Sequence, residues 1–404
     1  MKPIKPNPGG QLAPGEILGR DALIAELWEI LDGRNIYMND LRRIGKTMIL
    51  RKMEAEPEKG WLVLKRDLGG IKTAAAFATQ VYRDALGELG TKKRVLRRMG
   101  ELLDHASGTQ IAGILTLPNG SPAPWKDVLT RTFADLHEEY VTRKQRVVFL
   151  WDEVPFLIDN IRTTENAQTA MDVLDVLRAL SQDYDSIRLL LTGSVGMHHV
   201  LDRLQEEGYN GSPLNTFERK SPGPLAHAEA VGLAEKLMEG AKLDVADMPA
   251  AAEAAATLAG DVPFYIHRLV SRAPKGVETT PESLSRLLER ELRATDDDWD
   301  LEHYRKRLGT YYPGKGDEAV ILVMLDSIAT AKGPGPGLAE IANAVNSAIP
   351  GGAELERVRK LLKLLVKDHY LTQEDGGYSF RLKLVRHWWI LDRDLTVAKA
   401  EECP

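Results

Sequence analysis

Short apolar runs alternate with longer amphipathic ones between Ile17 and about Ser194, the pattern of a chain passing repeatedly from strand to crossover helix. In GRDALIAELWEIL (19–31) apolar residues recur at helical spacing after Asp21, and RNIYMN (34–39) reads as a short strand. MILRKMEAE then predicts a helix, WLVLKRDL (61–68) a strand and TAAAFATQVYRDALGEL another helix. Gly, Pro and Ser crowd residues 105–125, which predicts an exposed excursion inside the domain. WKDVLTRTFADLHEEYV leads as a helix into RVVFLWDE, a continuous apolar run of the kind buried on both faces of a parallel sheet. AMDVLDVLRALSQDY returns as a helix, and IRLLLTGS is one more apolar strand.

Beyond Ser194 the strand pattern stops. HAEAVGLAEKLMEGA, AAAEAAATLAG, PFYIHRLVSRA and PESLSRLLERELRA all predict helices between about 226 and 294. TDDDWD (295–300) and GTYYPGKGD (309–317) bracket a linker. EAVILVMLDSIA, GLAEIANAVN and ELERVRKLLKLLVKDHY then predict three helices, and EDGG in LTQEDGGYSFRLKLV marks a hairpin turn. Three helices closed by a hairpin outline a winged helix-turn-helix. The expected organisation is an extended arm over 1–16, an α/β core over 17–220, a helical domain over 221–300, a linker over 301–316 and a winged-helix domain over 317–404.

Composition narrows the class. A chain of 404 residues is too long for one core and points to two or three domains. With 43% hydrophobic but only 6% aromatic residues, it favours helical or α/β architecture over an all-β one. A net charge of -6 argues against a uniformly basic surface but leaves room for a local basic face. The single cysteine, Cys403, excludes a disulfide framework and a thiolate metal cluster, and fits a reducing cytoplasm. Apolar runs such as VVFL (147–150) fall far short of the roughly 20 residues a membrane helix needs. The N-terminal MKPIKPNPGGQLAPGEILG lacks the apolar core of a secretion signal.

The candidate chemistry lies at the ends of three strands. Gly45, Lys46 and Thr47 form the second half of G-x-x-x-x-G-K-[ST], in which backbone N–H groups wrap phosphates, the lysine neutralises them and the hydroxyl binds Mg²⁺. The loop departs from the pattern at its start, where Asp40 stands in place of glycine. VVFLWDE ends in Asp152 and Glu153, suited to hold hydrated Mg²⁺ and to polarise water for attack on a γ-phosphate. Two adjacent carboxylates at the end of an apolar strand repel each other and resist desolvation, so structure alone gives little reason for them. IRLLLTGS places Thr192 and Ser194 where they can report on the γ-phosphate or position water. Each piece alone also has a structural reading: a chance tripeptide, a solvated strand end, an ordinary turn. Their order along the chain is what points to ATP.

Together these residues resemble the archaeal ATPase-like P-loop family, within the AAA+ and STAND groups. ILGRDALIAELWEIL is similar to the family's entry segment near the adenine, which maps to Gly19, Arg20 and Asp21. LRRIGKT is similar to its loop, with Arg42 and Arg43 before Ile44, Gly45, Lys46, Thr47 and Met48. FLWDEVPFL matches its acidic strand and LLLTGS its sensor strand. GDVPFYIHRLV (260–270) looks like its lid motif, with Pro263 near the adenine and Asp261 in place of a lid glycine. YSFRLKLVRHWW looks like the hairpin end of the winged helix that many members append. The resemblance implies an AAA+-like parallel-sheet core, a helical lid and a winged helix, with ATP or ADP and Mg²⁺ as ligands. It also implies an ATP-hydrolysing switch or motor, with nucleotide-dependent homo-oligomers as a further expectation.

Asp40 keeps a second reading open, a nucleotide-binding scaffold that does not hydrolyse, because a carboxylate near phosphates repels them unless it turns away or finds a cation. Arg178, Arg203 and Arg268 are candidates for a finger or lid sensor, each equally readable as a solvated helix residue. On ELERVRKLLKLLVKDHY, Leu355, Val358, Leu362, Leu365 and Val366 form the expected buried stripe. Lys360, Lys363 and Lys367 share another face beside Arg357 and Arg359, and the following hairpin adds Arg381, Lys383 and Arg386. That charge pattern suits double-stranded DNA. It suits a protein-interaction module equally, and a DNA-binding regulator or initiator-like protein is the third reading.

Overall fold

The structure, a computed structural model, describes residues 3–89, 110–111, 114–115, 124–194, 196–312, 314–333 and 335–396. These residues divide into two compact units. An α/β unit comprises Arg20–Asp40 and Lys46–Pro222, and a helical unit comprises Met1–Gly19, Leu41–Gly45 and Gly223–Pro404.

The α/β unit alternates as the apolar periodicity predicts. It runs α1 (Asp21–Leu31), β1 (Ile36–Asn39), α2 (Lys46–Ala55), β2 (Trp61–Asp67) and α3 (Ala74–Leu89). Two short strands, β3 (Gln110–Ile111) and β4 (Ile114–Leu115), pair antiparallel, and the rest of the excursion expected over 105–125 lies mostly outside the described residues. Then follow α4 (Trp125–Thr142), β5 (Arg146–Asp152), α5 (Val154–Thr164), α6 (Ala167–Asp183), β6 (Ile187–Gly193), α7 (Met197–Glu206) and β7 (Glu218–Lys220). Five strands form a parallel sheet in the order β2-β5-β6-β1-β7. Strand β7 was not expected after Ser194. Its sequence, ERK, has no apolar alternation, and it forms by adding to the edge of β1, so no local pattern announces it.

Alternation on β5 sorts the core. Val148 and Leu150 pack on one face with Leu27 and Leu31 of α1 and Ile49 and Leu50 of α2. Val147, Phe149 and Trp151 pack on the other with Phe77 of α3, Phe133 of α4 and Ile158 of α5. Both faces are covered, which is why RVVFLW reads as an unbroken apolar run.

The helical unit holds α8 (His227–Ala241), α9 (Met248–Leu258), α10 (Pro263–Arg272) and α11 (Pro281–Leu292). Thr280 caps α11 by accepting from Ser283 N, and Asp247 caps α9 by accepting from Ala250 N, each with proline in the first turn. Residues 301–316, expected as a linker, fold in part into two short helices, α12 (Glu302–Lys306) and α13 (Leu308–Tyr311). Leu301, Tyr304, Leu308 and Tyr312 are buried in the same apolar cluster as the helices on either side, so this stretch contributes core. The chain continues as α14 (Asp317–Thr330), α15 (Leu338–Ala348), α16 (Leu355–Lys367), the antiparallel pair β8 (Leu371–Glu374) and β9 (Gly377–Phe380), and α17 (Lys383–Asp392).

Two details differ from the expected C-terminal pattern. On α16 the buried residues are Val358, Leu361, Leu362 and Leu365, while Leu355, at the exposed first turn, is 48% exposed. Lys383 and Arg386 lie on a helix and not on the hairpin, because Leu384, Val385, Trp388 and Trp389 recur at helical spacing and are buried. Trp388 and Trp389 are buried in the apolar cluster of this unit.

Candidate nucleotide site

Strand order brings the predicted residues of the α/β unit together. Because β6 lies between β1 and β5, Thr192 and Ser194 come between the start of α2 and the acidic end of β5. Register aligns these ends, with Asn39 opposite Gly193, Met38 opposite Thr192 and Trp151 opposite Leu191. Ligands of open parallel sheets sit at this carboxyl edge, beyond the strand ends.

Asp152 anchors the network. Thr47, the second residue of α2, donates its hydroxyl to Asp152 Oδ2 at 2.6 Å, and Thr192 donates to Asp152 Oδ1. Asp152 is 5% exposed and Thr192 fully buried. Glu153 follows in the left-handed region at φ 58°, an unusual conformation for a residue with a side chain. Its main-chain N–H donates to Asp152 Oδ1 at 3.1 Å. Its Oε2 accepts both the N–H and the hydroxyl of Ser194, each at 3.0 Å. Burial pushes the Glu153 carboxyl above its ordinary pKa; Asp152 adds to the rise, while the Ser194 donors and the Lys46 charge oppose it. Gly69, just after β2, makes room, since a Cβ there would stand 3.3 Å from Glu153 Cβ.

Lys46 opens α2 and is 7% exposed; its Nζ donates to the main-chain oxygen of Asp40 at 2.6 Å. Asp40 is not among the residues with positive φ, so this position does not need the turn for which glycine was expected. The left-handed residues of the loop are Arg43 at φ 69° and Gly45 at φ 104°. Nor is the Asp40 carboxylate left to repel phosphate. It is 2% exposed, and Oδ2 accepts the Ser221 hydroxyl at 2.6 Å. Arg20 carries the compensating charge and donates to Pro222 O at 3.2 Å. Burial lowers the Arg20 guanidinium to about 10, with Asp40 opposing the drop, so it stays charged at neutral pH. Ser221 was missed by sequence reading, having no spacing signal that ties it to a loop so far upstream. Asp21, carried over from the family's entry segment, accepts from Lys52 at 2.5 Å.

The other expected residues fall in the helical unit. Leu41 and Ile44 are buried in its apolar cluster. Arg42 and Arg43 both meet Asp300 Oδ2, through Nε at 2.9 and 2.5 Å, and the Arg43 guanidinium lies 4.5 Å from the centre of the Phe264 ring. Asp300, itself at φ 53°, is a second residue that sequence reading missed, although TDDDWD flagged an acidic stretch. Gly19, at φ 68°, packs so closely that a Cβ would approach Glu229 and Leu225 at 3.0 and 3.1 Å. Pro263 opens α10. Asp261 adopts φ 58°, the conformation for which a glycine was expected, and accepts from His227 Nδ1 at 2.9 Å while His227 Nε2 meets Glu253 at 2.7 Å. Those two carboxylates raise the His227 pKa, Glu253 foremost.

The basic residues do not form one free face. Arg357 Nε and Nη2 meet Asp317 Oδ1 at 2.8 and 2.6 Å, and Nη2 also donates to Lys315 O at 2.8 Å. Arg386 donates to Ala329 O and Ala331 O at 2.8 Å each. Arg381 meets His369 Nδ1 and is half-buried. Lys360, Lys363, Lys367 and Lys383 are exposed. Of the arginine-finger candidates, Arg203 lies 3.3 Å from Asp159.

No family model matches the chain, and no curated protein does. Among solved structures it is similar to a Walker-type ATPase of Pyrococcus abyssi, at 16% identity and a TM-score of 0.63, over 92% of this chain and 96% of that one. It is also similar to the ORC2 protein of Aeropyrum pernix in its ADPNP-ADP complexes, at 13% identity and a TM-score of 0.51, over 95% of this chain and 96% of that one. At such identities the likeness establishes architecture. The chain shares the architecture of these two proteins, a parallel α/β sheet core with helices, which is the coarse fold expected for it.

Proposed function

We propose that this protein binds and hydrolyses ATP as a switch or motor of the AAA+ type. The observation that carries the reading is the single network joining Thr47, Asp152, Thr192, Glu153 and Ser194 beside Lys46. Thr47 and Asp152 form an all-oxygen donor set of the kind Mg²⁺ takes, partly through water. When bound, Mg²⁺ would neutralise charge on the β- and γ-phosphate oxygens. Lys46 would leave the Asp40 carbonyl for those phosphates, with Gly45 and the N-terminal amides of α2 supplying further donors. Glu153 would orient a water, take its proton as the oxygen attacks the γ-phosphorus, and let the bond to the β-γ bridging oxygen break. Thr192 and Ser194 fix the two carboxylates in these roles.

The scaffold reading loses its motive, since the Asp40 carboxylate is engaged by Ser221 and compensated by Arg20. We read α14, α15, α16 and the β8-β9 hairpin as a winged helix whose exposed Lys360, Lys363 and Lys367 approach duplex DNA. A protein partner on the same face is the competing outcome. Purified protein should bind a fluorescent ATP analogue and release phosphate. A Lys46→Ala chain with unchanged nucleotide binding and turnover would sink the proposal.

A further inference from the structure

We infer that Asp40 is a positioning residue of the loop, locking its first turn so that Lys46 is stored on the Asp40 carbonyl until a phosphate displaces it. The inference rests on the ATP reading and deepens it. Three observations support it, all within the α/β unit. The Asp40 side chain is fixed at its carboxylate by Ser221 at 2.6 Å and buried at 2% exposure. Its main-chain oxygen takes Lys46 Nζ at 2.6 Å, so one residue is held by its side chain and holds by its backbone. Arg20, 4% exposed and tied to Pro222 O, lies close enough to Asp40 for the two charges to interact.

Glycine at this position would supply the carbonyl but not the side-chain anchor to Ser221. The replacement that looked like damage is therefore a substitute device. Asparagine keeps the shape and the acceptor for Ser221, and loses only the charge.

Two readouts test this on the full chain. Without nucleotide, acetic anhydride labelling followed by mass spectrometry reports how well Lys46 is held. Asp40→Gly should raise its labelling rate about tenfold or more, the scale of one hydrogen bond to a charged group, and Ser221→Ala about fivefold. With nucleotide, Asp40→Gly should raise KM for ATP and lower kcat, whereas Asp40→Asn should restore most of kcat. A folded Asp40→Gly chain with wild-type Lys46 labelling and equal or higher turnover overturns the inference. If Asp40→Gly does not fold, Ser221→Ala decides, and unchanged labelling there overturns it equally. Labelling is read in nucleotide-free protein, so failure of the ATP reading and failure of the lock are separately visible.

Discussion

Two groups of charged residues stand out in this chain, and the fold treats them in opposite ways. In the α/β unit, Thr47, Asp152, Glu153, Thr192 and Ser194 converge on one hydrogen-bonded network, although they come from segments far apart in sequence. In the helical unit, the basic residues around α16 and α17 disperse. Arg357 ties down the start of α14, Arg386 caps carbonyls at its end, and Lys360, Lys363 and Lys383 are exposed. The first group sits at strand ends, where a parallel sheet collects its C-terminal edges in one place. The second sits on helix surfaces, where sequence spacing sets the face but not the neighbour. A charge pattern predicts a site best when the backbone also dictates where its members must meet.

The largest effect tests convergence. Glu153→Gln should keep ATP affinity and lose about a hundredfold to ten-thousandfold in turnover, the range for a general base; near-normal phosphate release would remove Glu153 from its role. Next comes acid. Burial holds His267 down at about 4, and burial with Arg307 nearby holds His303 down at about 3. Both folded pKa values lie below the unfolded 6.5, so the stability these two histidines contribute is fully present above about 6.5 and is lost as pH falls toward 4. His267 alone is worth about 3 kcal/mol over that range. Hydrogen exchange should show α10 loosening first, and a His267→Gln chain should flatten the profile.

Asp300→Asn comes third. It removes the charge that Arg42 and Arg43 share, and should lower stability by about 1–3 kcal/mol and raise exchange at 41–45. Unchanged protection of those amides would show that the loop is held by Leu41 and Ile44 alone. The smallest effect sharpens the dispersed side. If α16 approaches DNA, Lys360→Ala with Lys363→Ala should reduce the slope of log affinity against log salt by about 2. Arg357→Ala should leave the slope alone and lower Tm; the reverse result would make Arg357 a phosphate contact.

The α/β core was legible because its strands are apolar on both faces and its helices are amphipathic, so periodicity changes at almost every boundary. The candidate site could be read as a set of motifs for a related reason, since WDE and LTGS end apolar strands and GKT opens the helix that follows β1. What stayed hidden depended on distant partners. Strand β7 exists only as an addition to β1, and Ser221 matters only because Asp40 points toward it. Residues 301–316 read as a linker because their tyrosines and leucines are spaced too briefly for a periodic signal, yet their burial is nearly complete at Tyr304 and Leu308.

Asp261 and His227 should behave as a coupled pair. A side chain at φ 58° is tolerated at a cost, and His227 with Glu253 gives that side chain something to hold. Removing His227 leaves the cost with less to offset it, so Asp261→Gly should raise the stability of a His227→Ala chain more than that of the original chain.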